Sequence, residues 1–204
     1  MNKFRIIIAV FLLFLFVSAG AQHKGTFGVS ISALNKNTML QSAAVNHDFT
    51  TYKGNGFLSF SADYWYPVNE WIEIETGLNY SHQSFEMATT HSWKNNLAVP
   101  LQNEEYVNYH LVNIPVGVRA EFLEFGFVNG GLLIDIAQHE PGIGSYFGLG
   151  VKFESLVGYG LYINPYLKTH SVLPVNLNFN NDRILEAGIK IGIFYSFDNN
   201  FFNR

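Results

Sequence analysis

From Ile184 to Phe197 the chain alternates between two chemistries. Leu185, Ala187, Ile189, Ile191, Ile193, Tyr195 and Phe197 share one parity, while Glu186, Gly188, Lys190, Gly192 and Ser196 share the other. Neighbours two apart share a face only in a strand, so the pattern predicts a long strand with one apolar side, broken only by Phe194. The same alternation recurs upstream and predicts eight strands: 25–34, 56–66, 71–85, 107–120, a fifth running from the 121–124 turn to about 137, 145–155, 160–169 and 184–197. Connections alternate between short turns, such as Pro67-Val68-Asn69-Glu70, and longer polar stretches at about 35–55, 86–106, 138–144 and 170–181. An even strand number returns both ends of the chain to the short-turn side. The expected fold is therefore all-β, an eight-stranded antiparallel up-and-down transmembrane barrel whose longer loops all lie on one side.

Charge follows the parity. Asp63, Glu73, Glu75, Arg119, Asp135, Lys152, Glu154, Lys168, Glu186 and Lys190 fall on one face of these strands, and the central positions of the other face carry no charge. A lipid-facing Lys or Arg at the bilayer midplane costs about 2–4 kcal/mol, so a membrane barrel with these ten residues in its lumen explains the segregation. A soluble lipocalin-like ligand carrier needs the same alternation with the faces reversed, apolar side inward. Aromatic residues near the strand ends (Tyr64, Tyr66, Tyr80, Tyr195, Phe197) favour the membrane form, where interfacial girdles require them.

The chain's start changes the picture of where it goes. Lys3 and Arg5 precede an apolar run over 6–17, followed by Ser18-Ala19-Gly20-Ala21, the order of a secretory signal peptide over 1–21 with cleavage expected after Ala21. The alternative, an uncleaved anchor helix, is short of the roughly 20 apolar residues a span needs. The rest, 22–204, reads as one barrel domain. There is no cysteine, which rules out disulfides, thiolate catalysis and acylated-cysteine anchoring. With 12 Lys and Arg against 16 Asp and Glu, the chain lacks the basic surface that nucleic acid demands.

Several phrases carry a family likeness: Ala21-Gln22 after the signal, Trp71-Ile72-Glu73-Ile74-Glu75-Thr76-Gly77-Leu78-Asn79-Tyr80, Leu111-Val112-Asn113-Ile114-Pro115-Val116-Gly117-Val118-Arg119, and the glycine-spaced strand ending at Phe197. With these the chain resembles the small outer-membrane β-barrel proteins of Bacteroidetes, often called PorT-like. The resemblance implies a Gram-negative outer-membrane location, contact with outer-membrane lipid and the barrel assembly machinery, and a role as an accessory of secretion or surface interaction. One departure is the tail 198–204, which ends on arginine where many such barrels end on an aromatic residue.

An eight-stranded barrel is only wide enough for side chains to fill, so mixed acidic and basic lumen residues predict a plug of ion pairs and not a wide pore. Function is then expected in the long loops, meeting an unidentified extracellular or periplasmic protein, with no catalysis, cofactor or metal. The sharpest alternative is enzymatic. His82 and Ser84 share the lipid-facing side of the third strand and resemble the histidine-x-serine pair of outer-membrane lipid A deacylases, but the further residues of that family's motif are missing. The seven histidines show no metal-ligand spacing and read as loop or interface residues. Asp135 with His139-Glu140 offers a possible cation rim, though with only two carboxylates. Gly148-Leu149-Gly150 is strand glycine and not a phosphate loop, since no helix follows it.

Overall fold

The computed structural model describes residues 25–41, 49–90, 103–136, 141–174 and 183–197. Within them lie eight strands: β1 Thr26–Gln41, β2 Phe49–Pro67, β3 Ile72–Thr90, β4 Asn103–Phe122, β5 Gly126–Ile136, β6 Pro141–Glu154, β7 Tyr159–Pro174 and β8 Arg183–Ser196. Each pairs with its sequence neighbours, and β8 closes on β1, giving an antiparallel up-and-down barrel with no open edge between first and last strand. Closure is tight at the turn end, where Thr26 pairs with Ser196 and the Phe197 amide donates to the Gly25 carbonyl at 2.8 Å.

Burial settles which face is which. Val29, Ile31, Phe60, Ile74, Leu78, Val116, Leu132, Leu149, Leu161, Ile191 and Ile193 are all exposed. Asp63, Glu75, Arg119, Asp135, Lys168, Glu186 and Lys190 are all buried. The barrel is therefore apolar outside and charged inside, the reverse of a soluble carrier, and the lipocalin-like alternative fails on this point. No helix among the described residues is long and apolar enough to cross a membrane; the strands do the crossing in this architecture.

The strands are longer than the alternation predicts, and the difference lies at the loop end. Residues 35–41, 49–55, 86–90, 103–106, 141–144 and 170–174, all placed by sequence in outer loops, are strand. On β1 and β2 the physical reason is register. Ser30 and Ser32 point inward on β1, but after an irregularity between Ala33 and Lys36 it is Asn37 that is buried, so the inward parity has switched. Leu34 takes up the distortion with φ 51°. On β2 a second irregularity separates Gly54 from Phe57, with Gly56 at φ 92°. An extra residue flips every later side chain to the other face, so a strand that crosses a bulge reads as a broken pattern.

Where β1 and β2 part above Ile31, asparagine side chains replace the ladder. Asn35 Nδ2 donates to the carbonyls of Ser32 and Phe57. Asn37 Nδ2 donates to the carbonyls of Gly56 and Ser84 and to Gln83 Oε1, while Asn37 Oδ1 accepts from the Gly56 amide. The result is an uneven rim. Strands β2, β3 and β4 run 19, 19 and 20 residues, against 11 for β5 and 14 for β6. Twenty residues extend about 66 Å along the strand, at about 3.3 Å each. A bilayer crossing takes only about 9–11 residues, so the β2–β4 wall continues well beyond an apolar band of that height.

Candidate functional site

Three layers fill the lumen. Nearest the short turns lies an aromatic layer of Trp65, Phe127, Tyr162 and Phe194, all buried. Trp65 meets Tyr162 and Phe194 edge-on, with ring centroids 5.3 and 6.1 Å apart. Phe194, the residue that breaks the β8 alternation, points inward because this layer needs it. Glycines opposite make the room: a Cβ on Gly28, Gly150, Gly160 or Gly192 would press into the ring of Trp65, Phe127, Phe194 or Tyr162 respectively. Arg119 is threaded into the same layer, its guanidinium carbon 3.7 Å from the Phe127 ring centre and 4.6 Å from that of Trp65. Its outer edge faces carboxylates, Nε being 3.5 Å from Glu73 and one terminal nitrogen 3.9 Å from Glu121. Lys152 bonds to Glu121.

Above it the interior turns polar. Asp63 accepts from Tyr162 Oη at 3.0 Å and lies 3.5 Å from Lys190 Nζ. Glu75 accepts from Asn129 Nδ2 at 2.8 Å, Asn129 in turn accepts from Asn164, and Asn79 donates to Asn113. Higher still, Glu186 is the centre of a knot. Its carboxylate accepts from Gln83 Nε2 (2.8 Å), Tyr166 Oη (2.8 Å) and His170 Nε2 (3.0 Å), with Lys168 Nζ at 3.5 Å. His170 Nδ1 donates to Asp135 Oδ1 at 2.9 Å, and Asp135 Oδ2 accepts the Ser171 amide at 2.7 Å. Each ring nitrogen of His170 thus faces a carboxylate oxygen, and Lys168 lies beside the same Glu186 carboxylate, so the knot sets two acidic side chains against two basic ones. A third layer, Phe85, Leu111 and Ile184 with Met39, Tyr52 and Tyr109 against it, covers the knot at the loop end.

Of the ten residues assigned to the lumen from sequence, seven are buried inside the barrel, and Glu73, Lys152 and Glu154 are half-buried towards the turn end. Asp135 is committed to His170 and Ser171, and its proposed rim partners His139 and Glu140 lie outside the described residues. The sequence reading missed His170, which it placed in a loop. The signal was present: Tyr162, Asn164, Tyr166, Lys168 and His170 continue one parity. The signal segment 1–21, the tail 198–204 and the centres of the four long connections also lie outside the described residues.

On the outer wall, His82 and Ser84 face outward and half-exposed on β3, and no hydrogen bond joins them. Each instead has a cross-strand neighbour on β4: His82 lies opposite His110 and Ser84 opposite Asn108. The imidazole rings are 4.6 Å apart between centroids, and Tyr80 Oη lies 2.7 Å from His110 Nδ1. A neighbouring ion pair, Lys53 with Glu86 at 3.5 Å, continues the polar strip upward. His82 Nδ1 has no hydrogen-bond partner and so no orienting carboxylate, and the residue opposite Ser84 is Asn108; the pair does not form a nucleophile–base–carboxylate chain.

No protein-family model matches the chain, and no curated protein matches it. Solved structures similar to it include the attachment invasion locus protein Ail of Yersinia pestis (10% identity, TM-score 0.41, covering 84% of this chain and 99% of that one). Others are the outer-membrane protein AlkL in lipid bilayers (12%, 0.43, 86% and 92%) and the translocator domain of the autotransporter NalP of Neisseria meningitidis (10%, 0.40, 88% and 91%). Likenesses this distant carry no functional argument, and the reading of this chain rests on its own geometry.

Proposed function

We propose that the chain is a non-catalytic integral barrel of the Gram-negative outer membrane, whose lumen is a closed structural plug and whose working surface is the tall β2–β4 wall with the connections above it. One observation carries the reading: apolar side chains face out along all eight strands while buried charge faces in. Apolar layers lie on both sides of the ionic middle, Phe85–Leu111–Ile184 above and the aromatic rings below, which supports a plugged lumen over a wide diffusion pore. The narrower version, an accessory of secretion or surface contact like the PorT-like proteins, fits strands β2–β4 that run well beyond the apolar band.

The test combines gel migration of the outer-membrane fraction with bilayer conductance. A closed barrel migrates differently before and after boiling, and the purified form gives no stepwise conductance in planar bilayers. Recovery among periplasmic proteins without such a shift sinks the membrane reading; steady porin-sized steps sink the sealed lumen.

A further inference from the structure

We propose that His82 and His110 form a two-histidine site for a divalent transition metal of imidazole preference, zinc above all, on the outer wall of the barrel. The two residues are 28 positions apart in sequence, yet the antiparallel register of β3 and β4 sets them directly opposite on the same face. Directly opposed residues bring their Cβ atoms to about 4.5–5.5 Å, close enough for two imidazoles to share one ion. Zinc bonds imidazole nitrogen at about 2.0–2.1 Å, so two rings on one tetrahedral ion have centroids about 5 Å apart. The observed 4.6 Å, with planes inclined by 41°, is a few tenths of an ångström short of that.

A second observation points the same way. His110 Nδ1 is held by Tyr80 Oη at 2.7 Å. When Nδ1 donates to that oxygen, Nε2 is left as the bare lone pair. Histidine ligands are oriented in this manner, by an oxygen partner on the nitrogen that does not bind. His82 Nδ1 is buried with no hydrogen-bond partner, and Nε2 is assigned as its ligating atom. Tyr80 is here a positioning residue and does not touch the ion.

Among the described residues no three His, Cys, Asp or Glu side chains converge, so the protein supplies two ligands and the remaining positions stay open. Those positions face outward level with Leu58, the β2 partner of His82, and one row above Phe60 and Val112, which flank Tyr80. Water or the oxygens of lipid headgroups complete the shell there. Imidazole nitrogen selects zinc, copper or nickel over magnesium or calcium, which prefer all-oxygen sites.

The experiment is calorimetric titration of zinc into the full chain, purified without a polyhistidine tag and folded in dodecyl maltoside, in phosphate-free buffer. Heat-modifiable migration checks folding of every variant. The wild type is expected to show a site that His82→Gln or His110→Gln weakens by about a hundredfold or abolishes, and that the double variant reduces no further than the stronger single. Tyr80→Phe is expected to weaken it by about tenfold with stoichiometry unchanged. His47→Gln/His91→Gln, in the stretches that the sequence predicts as loops, is expected to leave it intact. Equal zinc binding by wild type and both pair variants, no binding above detergent background, or loss confined to the loop variant each overturns the proposal.

Discussion

At the turn end of the lumen, four rings and one guanidinium fill the space between glycines; towards the loop end, two carboxylates, an ammonium and an imidazole fill the same cross-section. The first layer is held by shape. Each ring lies against a glycine where no other residue fits, and its only charge, Arg119, has rings beside it and carboxylates at its solvent-facing edge. The second layer is held by mutual neutralisation, and no member can leave without stranding another. Burying a charge is tolerable only when it is paired and hydrogen-bonded, so the upper layer is the more brittle of the two.

The largest effect is therefore expected from removing one charge of the knot. Glu186→Leu leaves Lys168 and His170 without their shared carboxylate and is expected to destabilise the barrel by about 3–5 kcal/mol. Urea-induced loss of the fast-migrating form in detergent measures it. Adding Lys168→Met to Glu186→Leu removes a stranded cation and is expected to restore part of the loss, because an apolar replacement of a whole buried pair is near neutral. If the double variant is no more stable than the single, mutual neutralisation is not what holds this layer.

The shape-held layer breaks by addition and not by removal. Gly192→Val places methyl groups against the Tyr162 ring, which is already boxed in by Trp65 and Phe194. Overpacking of this kind is expected to cost about 1–3 kcal/mol in the same urea assay, with Gly192→Ala at the low end. Gly56→Ala makes a useful contrast, since its penalty comes from φ 92° and not from crowding. Equal losses at Gly192 and at an inward serine such as Ser59 would mean that the glycine–ring interlock is incidental.

The two layers also differ in how far the sequence disclosed them. Glu186 and Lys190 stand out on β8 because a charge every second or fourth residue on an otherwise glycine face has a single direction to point. The aromatic layer was half legible: Trp65 shares the parity of Asp63 and Tyr162 that of Lys168, but Phe194 looked like a break in the alternation, because an inward ring and a lipid-facing ring are the same letter. What alternation could not carry past Leu34 and Gly56 was the bulge, where one extra residue exchanges the faces and makes a continuing strand look like loop. His170 was lost for a different reason: it keeps the parity of Tyr166 and Lys168, but the distortion at Ser171, with φ 54°, ends the readable alternation just after it. The His82–His110 pair depends on register alone, a quantity that neither strand contains by itself.

Arg119 belongs to both halves of the comparison, and it yields the finest test of them. It is a buried cation, like Lys168, yet it lies 3.7 Å from one ring centre and 4.6 Å from another, and its carboxylate partners Glu73 and Glu121 are half-buried near the mouth. If charge pairing dominated here as it does at Glu186, Arg119→Met would be as damaging as Glu186→Leu. The Glu73 and Glu121 side chains keep 13% and 22% of their surface exposed, against 0% for Glu186, so losing the guanidinium strands carboxylates less deeply buried than the knot's, and methionine keeps much of the volume between Phe127 and Trp65. Arg119→Met is accordingly expected to cost about 1–2 kcal/mol, the worth of a desolvated cation–π contact. Arg119→Lys keeps the charge but loses the planar stack, and is expected to cost about as much. A lysine variant as stable as the wild type, beside a methionine variant that falls with Glu186→Leu, would show that charge, not shape, holds the turn end as well.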